Sequence, residues 1–248
     1  MEQIALHVEQ GEQNSTEKQI ILRQVCLRYA GGVRALDDVS FSVKAGEMVF
    51  LTGHSGAGKS SVLRLLSLQE KLTRGQLYLE QQDLCRLPNR RIPLLRRKLG
   101  MIFQDHRLLL NKNVFENVAL PLRIAGLSYF DLSKRVRVAL KRVGLNEREL
   151  ALPGMLSTGE QQRVGIARAI VHQPSIVLAD EPTGNLDPRL ALEIMQLFIE
   201  LNEQNMTLLI ASHDLRLIKH LGRRVLVLQD GRLIDDIPAR SGQGEVGR

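Results

Sequence analysis

The sequence predicts an α/β fold: a mainly parallel sheet covered by helices, with an antiparallel β layer ahead of it. Three observations carry this. The continuous apolar run EMVFLTG (47–53) enters a glycine-rich loop, and SVLRLLSL (61–68) follows it with helical spacing. The short apolar runs SIVLAD (175–180) and TLLIAS (207–212) are separated by the helix-like LALEIMQLFIELNEQ (190–204), and strands buried on both faces read as such unbroken runs. Nearer the start, Val39, Phe41 and Val43 alternate with polar residues, the period of a half-buried strand.

In chain order, residues 1–18 are polar without a sustained period and read as a flexible tail; residues 19–248 hold the folded unit. QIILRQVCLRY (19–29) and ALDDVSFSV (35–43) are strands separated by the turn signal Gly31-Gly32. Between about residues 105 and 170 the period is mostly helical, with breaks expected at Pro121, Gly126, Gly144 and Pro153; this is a candidate helical subdomain. RVLVLQ (224–229) and RLIDD (232–236) flank Asp230-Gly231, a strong hairpin turn. No internal repeat is present.

A chain of 248 residues is long enough to bury a sizeable core, and its ordinary mix of apolar and charged residues excludes fibrous and wholly disordered classes. No run approaches the ~18–20 apolar residues of a membrane span, and the N-terminus lacks a basic start followed by an apolar signal core, so a cytoplasmic location is expected. Cys26 and Cys85 match no metal spacing and read as buried or idle thiols. The formal charge of +7 favours contact with phosphates, nucleic acid or an anionic surface without choosing among them. The densest basic segment, NRRIPLLRRK (89–98), reads as a solvated helix face, and the lack of interleaved aromatics argues against nucleic acid.

GHSGAGKS (53–60) matches G-x-x-x-x-G-K-[ST] and lies between a strand and a helix, as a phosphate-binding loop requires. Gly53, His54, Ser55, Gly56, Ala57 and Gly58 would offer backbone N–H groups to phosphate oxygens. Lys59 would reach the β and γ phosphates, Ser60 would hold Mg²⁺, and Ser61 adjoins them in the first helical turn. IVLADEP (176–182) ends an apolar strand on two carboxylates: Asp180 can serve the metal through water while Glu181 turns toward an attacking water. His213 closes a strand and could reach the γ phosphate. Gln104, ending LGMIFQ (99–104), could contact metal or water, or simply start a loop. In LSTGEQQR (156–163), Ser157 and Glu160 have capping-box spacing, and the same helix start would also welcome an anion.

Taken in order, the loop at 53–60, Gln104, LSTGEQQR, IVLADEP, GNLD (184–187) and His213 resemble the Walker A, Q-loop, signature, Walker B, D-loop and H-loop of ABC transporter nucleotide-binding subunits. The resemblance covers nearly everything after about residue 20. It implies an ABC-type P-loop ATPase that binds ATP and Mg²⁺. Catalytic roles then fall to Glu181, His213 and Gln104, metal contacts to Ser60, Gln104 and Asp180, and adenine stacking to Tyr29. It also implies an ATP-dependent homodimer in which Ser157, Gly159 and Glu160 of one chain close on the ATP of the other. The usual motif has glycine where this chain has Thr158.

Within the family, GEMVFLTGHSGAGKS (46–60), LRRKLGMIFQDHRLL (95–109) and VFENVALPL (114–122) are most similar to the bacterial cell-division ATPases. That resemblance implies a peripheral subunit on the cytoplasmic face of the inner membrane, joined to it through a multi-span partner and signalling to cell-wall hydrolases. DEPTGNLD (180–187) would equally suit lipoprotein-release or efflux relatives. A soluble DNA- or ribosome-associated ATPase and a barely turning-over interaction module are the remaining alternatives; no direct nucleic-acid contact is expected.

Overall fold

The computed structural model describes residues 18–240. Lys18 therefore opens the first strand, and the rest of the expected N-terminal tail lies outside the described residues.

Strands β1 (Lys18–Arg28), β2 (Arg34–Lys44), β4 (Arg74–Leu79) and β5 (Gln82–Asp83) form an antiparallel sheet in the order β2-β1-β4-β5. The second sheet has the order β10-β9-β3-β8-β7-β6, built from β3 (Met48–Thr52), β6 (Leu99–Ile102), β7 (Ile176–Asp180), β8 (Thr207–Ala211), β9 (Arg224–Gln229) and β10 (Arg232–Ile237). Five of its strands run parallel; only β10, returned by the Asp230-Gly231 turn, is antiparallel. Both turn residues have positive φ, 48° and 77°, the requirement of a type I′ hairpin.

Because successive strand side chains point to opposite faces, the parallel strands feed two cores. Phe50, Val177, Ala179, Leu208 and Ile210 face the helices α3 (Val114–Ile124), α4 (Tyr129–Arg142), α5 (Thr158–Ile170) and α6 (Pro188–Glu203). Val49, Leu51, Ile176, Leu178 and Leu209 face the antiparallel layer and α1 (Lys59–Leu66). Burial on both faces explains why these strands read as unbroken apolar runs rather than alternating ones.

The helical stretch divides at Gly126 and Gly144, whose φ values of 83° and 73° suit the left-handed residue that ends a helix. Pro153 opens a short 3₁₀ turn. Pro121 departs from expectation: it lies inside α3 and the helix continues to Ile124. A proline removes one N–H, and here the burial of Val114, Phe115, Val118, Ala119 and Leu122 along the helix outweighs that loss. The basic segment is a 3₁₀ turn followed by the short α2 (Ile92–Arg96), with its arginines exposed as expected. Neither cysteine is buried: Cys26 is half-buried and Cys85 exposed, which leaves the idle-thiol reading. Among the described residues no helix is long and apolar enough to cross a membrane. The last helix, α7 (Leu215–Leu221), ends at Gly222, φ 61°.

Gly231 also fixes the hairpin against the rest of the fold. Its N–H donates to the Ala57 carbonyl at 3.1 Å, and an added Cβ would sit 2.8 Å from the Ala35 carbonyl oxygen. Gly231→Ala is therefore expected to destabilise by about 2 kcal/mol, the sum of positive-φ strain and a backbone clash. At roughly 2–4 °C per kcal/mol for a chain of this size, thermal melting should fall by about 4–8 °C; an unchanged melting temperature would refute the packing argument.

Candidate nucleotide site

Parallel α/β sheets offer ligand sites beyond the carboxyl ends of their strands. Four adjacent strands, β3, β8, β7 and β6, end at Thr52, Ala211, Asp180 and Ile102. The residues that follow those ends are the glycine-rich loop, Ser212-His213, Glu181 and Phe103-Gln104. Topology alone thus places the glycine-rich loop, His213, Glu181 and Gln104 at one edge.

The loop wraps the start of α1. Gly53, Gly56 and Gly58 have φ of 147°, 82° and 107°, and two of them are also close-approach positions. A Cβ on Gly53 would lie 2.1 Å from the Leu228 carbonyl oxygen, and one on Gly58 would lie 2.8 Å from that of Ala35. Ala57 donates its N–H to the His54 carbonyl at 3.1 Å. Among the described residues, the N–H groups of Gly56, Gly58, Lys59, Ser60 and Ser61 have no backbone acceptor. Unpaired amides converging at a helix N-terminus are an anion cradle, and this observation fits a polyphosphate.

Lys59 is 7 % exposed. Its ammonium donates to the carbonyls of Gly53 (2.8 Å) and His54 (3.2 Å) and lies 3.7 Å from Glu181 Oε1. The His54 ring turns away toward Asp230, 3.3 Å distant, leaving its backbone as the part that faces the loop. Ser61 shares a 3.0 Å hydrogen bond with the Tyr29 hydroxyl, which fixes the tyrosine beside the first turn of α1.

Ser60 Oγ donates to Asp180 Oδ1 at 3.0 Å. Burial pushes the Asp180 carboxyl above its ordinary value, and adjacent Glu181 adds to the rise; the Ser60 hydrogen bond, Arg64 and Lys59 oppose it. A hydroxyl and a half-buried carboxylate, both hard oxygen donors at a phosphate cradle, fit Mg²⁺, which uses one or two carboxylates together with substrate phosphates.

Glu181 is held in the left-handed region, φ 48°. The sequence carried no signal of this. That backbone turn directs the side chain between two cationic or donor groups, Lys59 on one side and His213 on the other. His213 Nδ1 is 2.8 Å from Glu181 Oε2, and the His213 N–H donates to the same oxygen at 3.3 Å. Gln104 is brought alongside: a Cβ on Gly184 would lie 3.6 Å from Glu181 Cβ and 3.9 Å from Gln104 Nε2.

The signature segment stands apart. Ser157 caps α5 by accepting from the Glu160 N–H at 3.3 Å, and Glu160 Oε2 accepts from the Ser157 N–H at 2.9 Å. The other Glu160 oxygen pairs with Arg148 at 3.2 Å, so this carboxylate is already engaged within its own chain. Thr158 is the first helical residue and is not among those with positive φ. Gly159 is buried, and a Cβ there would press on Leu190 Cδ1 at 3.0 Å, so its smallness serves the packing of α5 on α6. Among the described residues, no hydrogen bond or ion pair joins 157–160 to the loop at 53–61.

A parallel sheet with a phosphate loop, a strand-end carboxylate pair and a separate capped glycine helix defines a P-loop ATPase of the cassette type. Residues 36–184 match the ABC transporter family, and the chain belongs to it. It is 50% identical over 214 residues to the cell division ATP-binding protein FtsE of Escherichia coli K12, covering 86% of this chain and 96% of that protein. It is 41% identical over 217 residues to FtsE of Bacillus subtilis, covering 88% and 95%. The fold is similar to MJ0796, a bacterial ABC transporter cassette solved as a dimer, with a TM-score of 0.83 at 34% identity, covering 90% of this chain and all of that one. A structure of the same cassette in a post-hydrolysis state holds ADP and Pi, with the same TM-score and coverage. The chain is an ATP-binding ABC ATPase.

Two outcomes follow for the site. With its carboxyl pushed up by burial, Asp180 keeps its proton in the native state to higher pH than in the unfolded chain. Its contribution therefore lowers stability as pH rises from the ordinary carboxylate value of 3.8 through the raised one. Nucleotide-free Asp180→Asn should melt at a higher temperature than the parent at neutral pH, the difference vanishing toward pH ~4. Its Mg²⁺-dependent ATP turnover should fall on the order of a hundredfold. A melting difference that is flat across pH would refute the burial argument. Thr158→Gly, at an exposed helix start with negative φ, should change ATPase turnover by less than about tenfold, equivalent to ~1.4 kcal/mol. A rise of about a hundredfold would show a chain held nearly inactive at this residue.

Proposed function

We propose that the chain is the ATP-hydrolysing subunit of an FtsEX-like complex on the cytoplasmic face of a bacterial inner membrane, coupling ATP turnover to cell division and control of peptidoglycan hydrolases. The observation that carries the chemistry is Glu181, nearly buried and held between Lys59 and His213 beside the Ser60–Asp180 pair.

In this reading the unpaired amides of the loop and Lys59 hold the ATP phosphates, and the Tyr29 ring stacks on adenine. Ser60 and Asp180 would hold Mg²⁺, with Gln104 completing the set, and the ion would supply neutralisation of the phosphate charge. Glu181 orients and deprotonates the attacking water, and His213 holds its carboxylate in place. Since Ser157 and Gly159 do not meet the loop of their own chain, they complete the phosphate site of a second copy, as the dimeric relative supports. The partner in the membrane is an FtsX-like subunit. It docks in an apolar groove of about 660 Å³ lined by Met101, Phe103, Leu120, Leu122, Ile124 and Leu127, of which Phe103 directly precedes Gln104 in the chain.

Glu181→Gln keeps the shape and loses the base. In ATP and Mg²⁺ it should run as a dimer on sizing with turnover reduced at least about a hundredfold, while the parent cycles through monomer. Monomer alone with normal turnover would reassign Glu181 to a structural role. For the partner, the chain purified from membranes should bring down a multi-span FtsX-like protein, and Ile124→Glu, at an exposed groove position, should release it. A lipoprotein-release or efflux permease in the same purification would overturn the cell-division reading and leave the ATPase intact.

A further inference from the structure

We infer that Arg168, near the end of α5, is a positioning residue that locks Gln104 to the signature helix. The inference rests on the proposed role of Gln104 and extends it.

After Gln104 the chain makes a compact turn. The His106 N–H donates to the Phe103 carbonyl at 3.2 Å, and His106 and Arg107 both adopt left-handed backbone, φ 55° and 47°. Two consecutive L-residues in that region are disfavoured unless the surroundings impose it. The surroundings are visible. Arg168 donates from Nη1 to the Arg107 carbonyl at 2.7 Å and from Nη2 to the His106 carbonyl at 2.6 Å. One planar guanidinium thus reads both left-handed carbonyls at once, a geometry that only the fork of arginine supplies. The turn is closed on its other side by the Arg107 guanidinium, 4.2 Å from the Phe103 ring centroid and paired with Asp105 at 3.2 Å. The half-buried Arg168 makes no ion pair among the described residues; the two carbonyls accept from its guanidinium, and Asp105 favours its charge from farther off.

The consequence is mechanical. Phe103, Arg107 and Arg168 all line the apolar groove, Gln104 follows Phe103 directly, and α5 begins at the signature. A load on the groove or a shift of Gln104 is passed through two hydrogen bonds to the helix whose other end closes on the second copy's nucleotide. Loss of the fork frees the turn to relax to ordinary backbone and lets Gln104 drift, without touching the phosphate loop.

The test is a double-mutant cycle on ATP turnover by the full chain with Mg²⁺-ATP, using Arg168→Ala, Gln104→Ala and both. Arg168→Ala is expected to lower kcat about tenfold or more while KM for ATP stays within about threefold, because the loss falls on positioning and not on binding. In the Gln104→Ala background the same change should cost less than about threefold, because the two residues act as one unit. Arg168→Lys keeps stem and charge but reaches one carbonyl, so its kcat should fall between parent and alanine variant; it also replaces Arg168→Ala in the cycle should that variant not fold. If Gln104→Ala alone leaves kcat unchanged, the assignment of Gln104 fails and the inference with it. If Gln104→Ala lowers kcat and the Arg168 change costs the same factor with or without Gln104, the assignment stands and the inference on Arg168 is overturned.

Discussion

Everything at this site depends on keeping one ammonium group out of water. Lys59 is almost fully buried, and a buried ammonium must have its protons accepted. The Gly53 and His54 carbonyls and the Glu181 carboxylate do this. Each acceptor then constrains something larger. The Gly53 carbonyl is aimed by a φ of 147°, which ties the loop to glycine. Glu181 is aimed by its own left-handed turn at the end of β7, which ties the loop to the third strand along. The Lys59 charge is thus preorganised by backbone, so an anion bound beside it would demand little reorganisation.

That arrangement is available only because the sheet is parallel and buried on both sides. Parallel strands bring like ends together, so β3, β8, β7 and β6 deliver four motifs from distant parts of the sequence to one edge. Two hydrophobic cores grip the strands from opposite faces, with Phe50 and Ile210 turned to one and Leu51 and Leu209 to the other. Displacement of a strand by one residue would exchange these faces, so the register that aligns Asp180 with Ala211 is set by burial rather than by the site itself.

What the sequence made legible was whatever is local or periodic. The phosphate loop is eight contiguous residues between a strand and a helix, the capping box is a four-residue spacing, and the Asp230-Gly231 hairpin is a dipeptide; each needs no tertiary knowledge. Where tertiary packing competes with a local rule, the reading failed or stayed silent. Pro121 reads as a helix break, yet a buried apolar stripe carries α3 through it. Glu181 offers no sign of its positive φ, since only glycine and asparagine advertise that conformation. Arg168 reads as an ordinary cation in the last turn of a helix, where the dipole welcomes one; its two carbonyl partners lie about sixty residues back, His106 at 62 and Arg107 at 61.

The signature segment shows how the two readings of one sequence can both hold without sharing atoms. Helix capping uses the Ser157 hydroxyl, the Ser157 N–H and the Glu160 carboxylate, all within the first turn of α5. Anion binding at a helix start uses something else, the field of the unpaired amides and the exposed face of the turn. Glu160, bound to Ser157 and Arg148, is therefore a cap whose charge is already countered from within the chain. Thr158 fits the same logic. At the first helical position with negative φ it needs no glycine flexibility, and it is exposed. At Gly159 an added Cβ would press on Leu190 Cδ1 at 3.0 Å, so the crowding there comes from within the chain. The two positions thus differ in which side of the helix start each faces, Thr158 outward and Gly159 toward α6.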